Sequence, residues 1–150
     1  MNPFDLKAAL LAKHAQHVVL IHFPIGLFLA SFAFDLLALW RRDRSLATAA
    51  YYNLIAAGVA TLPAVATGLL AWHWLYGGKR LKGNLRLHLV FGLLSAGMIF
   101  LLCSWRTWRQ RKQRHYMTSA YLAAELVTVA IITLTGHLGG ILSGVDVLVS

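Results

Sequence analysis

Four long apolar runs leave this chain few possible folds. They cover residues 17–40, 50–76, 87–105 and 116–142, each close to or beyond the about 20 residues needed to cross a bilayer. A segment in hydrocarbon must satisfy its backbone polar groups internally, which for single runs of this length means a helix. The connections, residues 41–49, 77–86 and 106–115, are short, and short connections make neighbouring helices antiparallel. The expected fold is all-α: an integral membrane, up-down-up-down four-helix bundle forming one domain over residues 1–150. Composition agrees, since 13% of residues are charged against about 25% in a soluble domain.

Residues 1–16 are mildly amphipathic, with Phe4, Leu6, Leu10 and Leu11 among Asp5, Lys7 and Lys13. They carry no small-residue cleavage pattern and read as an interfacial helix leading into the first span. The net charge of +9 suggests nucleic acid at first sight. Its placement in clusters between apolar runs instead matches membrane topology, so no nucleic-acid partner is expected. One face carries Arg41, Arg42, Arg44, Arg106, Arg109, Arg111, Lys112 and Arg114; the other carries Lys7, Lys13, Lys79, Arg80, Lys82 and Arg86. The bias of eight against six makes the first face cytoplasmic and puts both termini outside. Trp40, Trp72, Trp74, Tyr76, Trp105 and Trp108 fit interfacial aromatic belts, and Gly77-Gly78 fits a helix end. Cys103 is the sole cysteine, so no internal disulfide can form and no Cys-x-x-Cys-His run is present for covalent haem attachment. It reads as a small buried apolar residue.

Six of the seven histidines fall at one face of this topology. His14, His17 and His22 open the first span, His73 closes the second, His88 opens the third and His137 lies near the end of the fourth; only His115 falls on the other side. Polar groups inside a bilayer are costly and mark function. His22 and His137 sit deepest in their runs, His17 and His88 lie shallower, and His73, between Trp72 and Trp74, reads as an interface residue. Small residues stand beside several of them: Gly26 after His22, Gly92 and Ala96 after His88, and Gly136, Gly139 and Gly140 around His137. They leave room for a flat macrocycle or a close helix. Ala56, Ala60, Ala64 and Gly68 at i+4 spacing suggest a smooth packing face on the second span. The chemistry expected of this layer is metal ligation by neutral imidazole, either axial ligation of haem b or capture of a bare copper or zinc ion. No acid lies in the layer, and a bare dication would keep its whole charge in an apolar site. That favours haem.

Asp35 and Glu125 lie a turn or more inside the opposite face. They read as proton or quinone acids, or as acids paired with nearby arginines such as Arg41 or Arg44 or hydrogen-bonded to Asn53 or a hydroxyl.

The segments His17-Val18-Val19-Leu20-Ile21-His22-Phe23-Pro24-Ile25-Gly26 and Gly136-His137-Leu138-Gly139-Gly140 resemble a domain-of-unknown-function family of small bacterial membrane proteins. That family opens on His-Pro-x-x-x-His-Phe-Pro and closes on Gly-His-x-Gly-Gly. Between them lie a Thr-Gly-Leu stretch, here Thr67-Gly68-Leu69, and a histidine opening the third span, here His88. The resemblance covers residues 17–144. Val18 departs from the proline that often follows the first histidine, and Ala71 stands near a position where relatives carry an acid. Relatives fused to Rieske or cytochrome c modules imply redox work, and the carry-over reaches His17, His22, His88 and His137.

The expected protein is a b-type cytochrome-like subunit of the bacterial inner membrane, an electron carrier more than a stand-alone enzyme. His17, His22, His88 and His137 would ligate one or two haem b groups. It would carry electrons between the quinone pool and a periplasmic cytochrome c, a Rieske protein or a larger membrane complex. The alternatives are a cofactor-free structural subunit and a histidine-based metal-binding or transport protein.

Overall fold

The computed structural model describes residues 13–78, 81–112 and 118–144. Among these residues it forms four helices: α1 (Lys13–Arg41), α2 (Arg44–Tyr76), α3 (Gly83–Arg111) and α4 (Ser119–Ser143). All four are long and apolar enough to span a membrane. A helix of 29 residues is about 43 Å long and overreaches an about 30 Å hydrocarbon core, so its charged ends reach the headgroups. Residues 1–12 of the expected interfacial helix, with Lys79, Arg80, Arg114 and His115, lie outside the described residues. Residues 13–16 belong to α1.

The helices are longer than the apolar runs because backbone hydrogen bonding does not stop where charge begins. α2 starts at Arg44 and not at residue 50, leaving a two-residue connection after α1. Asp43 caps it: its carboxylate accepts from Ser45 N and Ser45 Oγ, both at 2.7 Å, satisfying a donor that has no intrahelical partner. Those bonds hold the Asp43 carboxyl below the usual carboxylate range. α2 ends as expected at Gly77, in the left-handed conformation at φ 58° that glycine adopts without a Cβ penalty. α3 begins four residues before residue 87 and continues to Arg111, and α4 is capped by Thr118.

α1 packs most closely on α2, and α3 on α4; α2 against α3 and α1 against α4 close the ring. Each helix turns a stripe with alternating steps of three and four residues inward. On α2 the stripe is Ala47, Ala50, Leu54, Ala57, Thr61 and Ala64; on α3 it is Ser95, Ile99, Leu102, Arg106 and Arg109. On α4 it is Tyr121, Glu125, Thr128 and Ile132. This 3.5-residue period is that of left-handed helix bundles. The i+4 face expected on α2 is corrected accordingly. Ala64 is buried but Ala56 is exposed, because four-residue steps drift about 40° each around a helix.

The bundle is small and polar inside, large and apolar outside. Phe28, Leu54, Ile99, Leu102, Tyr121 and Ile132 form the apolar core, while Trp40, Tyr52, Val59, Leu62 and Leu101 are each at least 60% exposed. A soluble protein does not expose apolar surface on this scale; lipid is its natural cover. The small residues of α2 let its neighbours hydrogen-bond to carbonyls along its inner face. Ser31 donates to Ala50 O at 2.8 Å, Cys103 Sγ to Leu54 O at 3.4 Å, and Arg106 Nη2 to Ala47 O at 2.7 Å. Interhelical bonds of this kind contribute where hydrophobic driving force between helices is absent.

Candidate functional site

At the histidine end the helices line a half-open cavity of about 460 Å³, with residues of all four in its walls. Its walls are largely aliphatic, with Ile21, Ile25, Leu89, Leu93 and Ile132, and its polar groups include His17, His22, His88 and Thr135. That size and lining suit a small-molecule or cofactor site.

His17 on α1 and His88 on α3 both line it. Their ring centres are 6.4 Å apart with planes at 81°. Both rings are fixed through Nδ1. His88 Nδ1 lies 3.0 Å from Thr135 O, so it donates there and its lone pair sits on Nε2. His17 Nδ1 lies 3.3 Å from Thr67 Oγ1. The Thr67 hydroxyl also reaches Pro63 O at 2.8 Å and Ala64 O at 3.1 Å, which anchors its oxygen beside His17. A proline one turn before Thr67 adds no amide donor of its own. A ring nitrogen that donates to a carbonyl or hydroxyl while the other keeps its lone pair is the arrangement of ligating histidines.

Two glycines make room for these rings. A Cβ on Gly68 would stand 2.9 Å from His17 Cε1, and one on Gly139 would stand 3.1 Å from His88 Cε1. Each glycine serves a histidine of another helix, which sequence neighbourhood does not disclose. Gly92, Gly136 and Gly140 make no such contact with a histidine.

The other histidines stand apart. His22 borders the cavity, but its ring is exposed and its Nδ1 donates to Val18 O one turn back at 2.6 Å. His137 and His73 are exposed. His14 lies in α1, with its side chain outside the described set. Among the described residues no group of three or more His, Cys, Asp or Glu converges as an ion site.

A second polar centre lies in the other half of the bundle. Asp35 of α1 pairs with Arg106 of α3, both buried. This corrects two expectations. Arg106 is not a loop charge, and the partner of Asp35 is neither Arg41, Arg44 nor Asn53. The apolar run ends at residue 105, but α3 carries the next turns into the bundle, where Arg106 meets an acid. Arg109 is buried too. With these two removed from the eight basic residues of that face, six stand against six, and charge bias no longer selects an orientation. The Arg106 guanidinium lies 5.6 Å from the Tyr121 ring centre, and Trp105 meets the same ring edge-on at 5.4 Å. Glu125 is fully buried beside Asp35, Arg106 and Tyr121.

The family follows from comparison of the whole sequence. A family model described as predicted membrane protein (DUF2231) matches residues 13–148. The chain belongs to the DUF2231 family. No curated protein and no solved structure matches it. The match spans all four helices, so both polar centres lie inside the shared region of this DUF2231 chain.

Proposed function

We propose that this membrane protein is a b-type cytochrome-like subunit in which His17 and His88 are the axial pair for one haem b. The observation that carries the proposal is their shared geometry: two imidazoles facing a single cavity, each held through Nδ1 by a threonine and backed by a glycine. His17 and His88 would hold the group from α1 and α3, where their ring centres are 6.4 Å apart. Haem needs only two protein ligands, and its iron charge is largely balanced by the macrocycle, which suits an aliphatic cavity. Bound there, the group supplies one-electron transfer. Thr67 and Thr135 orient the two rings and raise their basicity as ligands, while the aliphatic walls exclude water. His22 and His137, exposed on α1 and α4, stay outside this pair.

In this reading electrons pass between the quinone pool and a redox partner, such as a cytochrome c or Rieske protein, at the histidine face. That face is taken as periplasmic in the bacterial inner membrane.

The test is a reduced-minus-oxidised visible spectrum of the purified protein, with pyridine haemochrome quantitation. One haem b per chain is expected, lost in His17→Ala and His88→Ala and retained in His22→Ala and His137→Ala. A colourless, folded wild-type protein would sink the reading and favour a cofactor-free structural subunit.

A further inference from the structure

The centre around Glu125 has a chemistry of its own. It contains two carboxyl groups and one guanidinium, contributed by Asp35 of α1, Glu125 of α4 and Arg106 of α3. Tyr121 of α4 faces the same point, α2 presents the Ala47 carbonyl, and Arg109 is buried one turn further along α3. Asp35 takes the Arg106 guanidinium directly. Glu125 is left with both carboxyl oxygens, and Tyr121 with its hydroxyl, lacking a hydrogen-bond partner among the described residues. Glu125 and Tyr121 are both 0% exposed.

An ionised carboxylate without a partner in such a place is costly. Of the two buried guanidiniums only Arg106 acts on Glu125, and it is already paired with Asp35, so one guanidinium faces two carboxyl groups. Charge balance among these three groups is reached when the second carboxyl carries a proton, which converts Glu125 from an acceptor alone into a donor beside Asp35. A proton is also the ligand that requires no cavity, and neither acid lines the cavity at the histidine end.

We propose that Asp35, Glu125 and Arg106 form a buried one-proton site, with the proton resident on Glu125. Binding is the simple step in which the Glu125 carboxylate takes up one proton to give the acid, and no electron moves. The site lies ten residues before Thr135 on α4, about 15 Å along the helix, so it is distinct from the histidine pair and does not depend on haem being bound there.

Glu125 is the single glutamate of the chain, so labelling with 13C-carboxyl glutamate reports on it alone, in wild-type protein. The experiment is a pH titration of that carbon signal by nuclear magnetic resonance in lipid nanodiscs. The expected result is the signal of a protonated acid at pH 7. In labelled Asp35→Asn, the guanidinium loses its carboxylate partner and should draw ionisation onto Glu125, giving a carboxylate signal at pH 7. A wild-type carboxylate signal at pH 7 overturns the site. A protonated wild-type signal unchanged by Asp35→Asn overturns the sharing of one charge between the two acids. Should Asp35→Asn not fold, the wild-type titration decides alone.

Discussion

Replacing Arg106 by methionine removes a charge while keeping most of the side chain's length. Asp35, 2% exposed, would then be a buried carboxylate whose direct partner is gone. Removing one partner of a buried ion pair costs about 3–5 kcal/mol, whereas removing both is often near neutral. The bond from Arg106 Nη2 to Ala47 O adds little, because that carbonyl remains within the α2 hydrogen-bond ladder. Arg106→Met should therefore lower unfolding free energy by about 3 kcal/mol, roughly a hundredfold in the folded-to-unfolded ratio. Asp35→Asn/Arg106→Met should recover most of that loss. The assay is reversible denaturant unfolding in mixed micelles, run as a double-mutant cycle with both single variants. The expected coupling is at least about 2 kcal/mol. A cost below about 1 kcal/mol for Arg106→Met, or strictly additive losses in the double variant, would refute the claim that this pair is desolvated and mutually dependent.

Gly68→Ala would push its Cβ to 2.9 Å from His17 Cε1 and Gly139→Ala to 3.1 Å from His88 Cε1; each should destabilise the folded protein by about 1–3 kcal/mol, with Gly136→Ala, which meets open space, as the neutral control in the same unfolding assay. The lowered Asp43 carboxyl stabilises the start of α2 only while ionised. Its contribution is present above the ordinary aspartate value of about 4 and fades as pH falls through the lower folded value, a loss that Asp43→Asn should abolish in acid unfolding curves. For orientation, in a Cys103→Ala background, Lys82→Cys should react with an impermeant maleimide added outside intact cells and Arg42→Cys should not; the reverse pattern would invert the topology.

Sequence alone determined that this chain spans a membrane as four antiparallel helices, because run length and composition act locally: a bilayer accepts about 20 apolar residues in helical form whatever else they touch. It also placed most histidines at one end and the two buried acids in the other half, since alternating helix direction converts position along the chain into depth. Tertiary structure decided which of those groups meet. His17 and His88 are half-buried in one cavity, while the deeper His22 lies exposed at its border and His137 turns outward, because rotation about each helix axis is set by the 3.5-residue inner stripe and not by depth. Arg106, placed in a loop by its charge, is folded into the bundle by Asp35, a residue 71 positions away. Charge at the end of an apolar run reads the same in sequence whether it faces water or a buried acid. Only the packing of α1 against the rest of the bundle distinguishes the two.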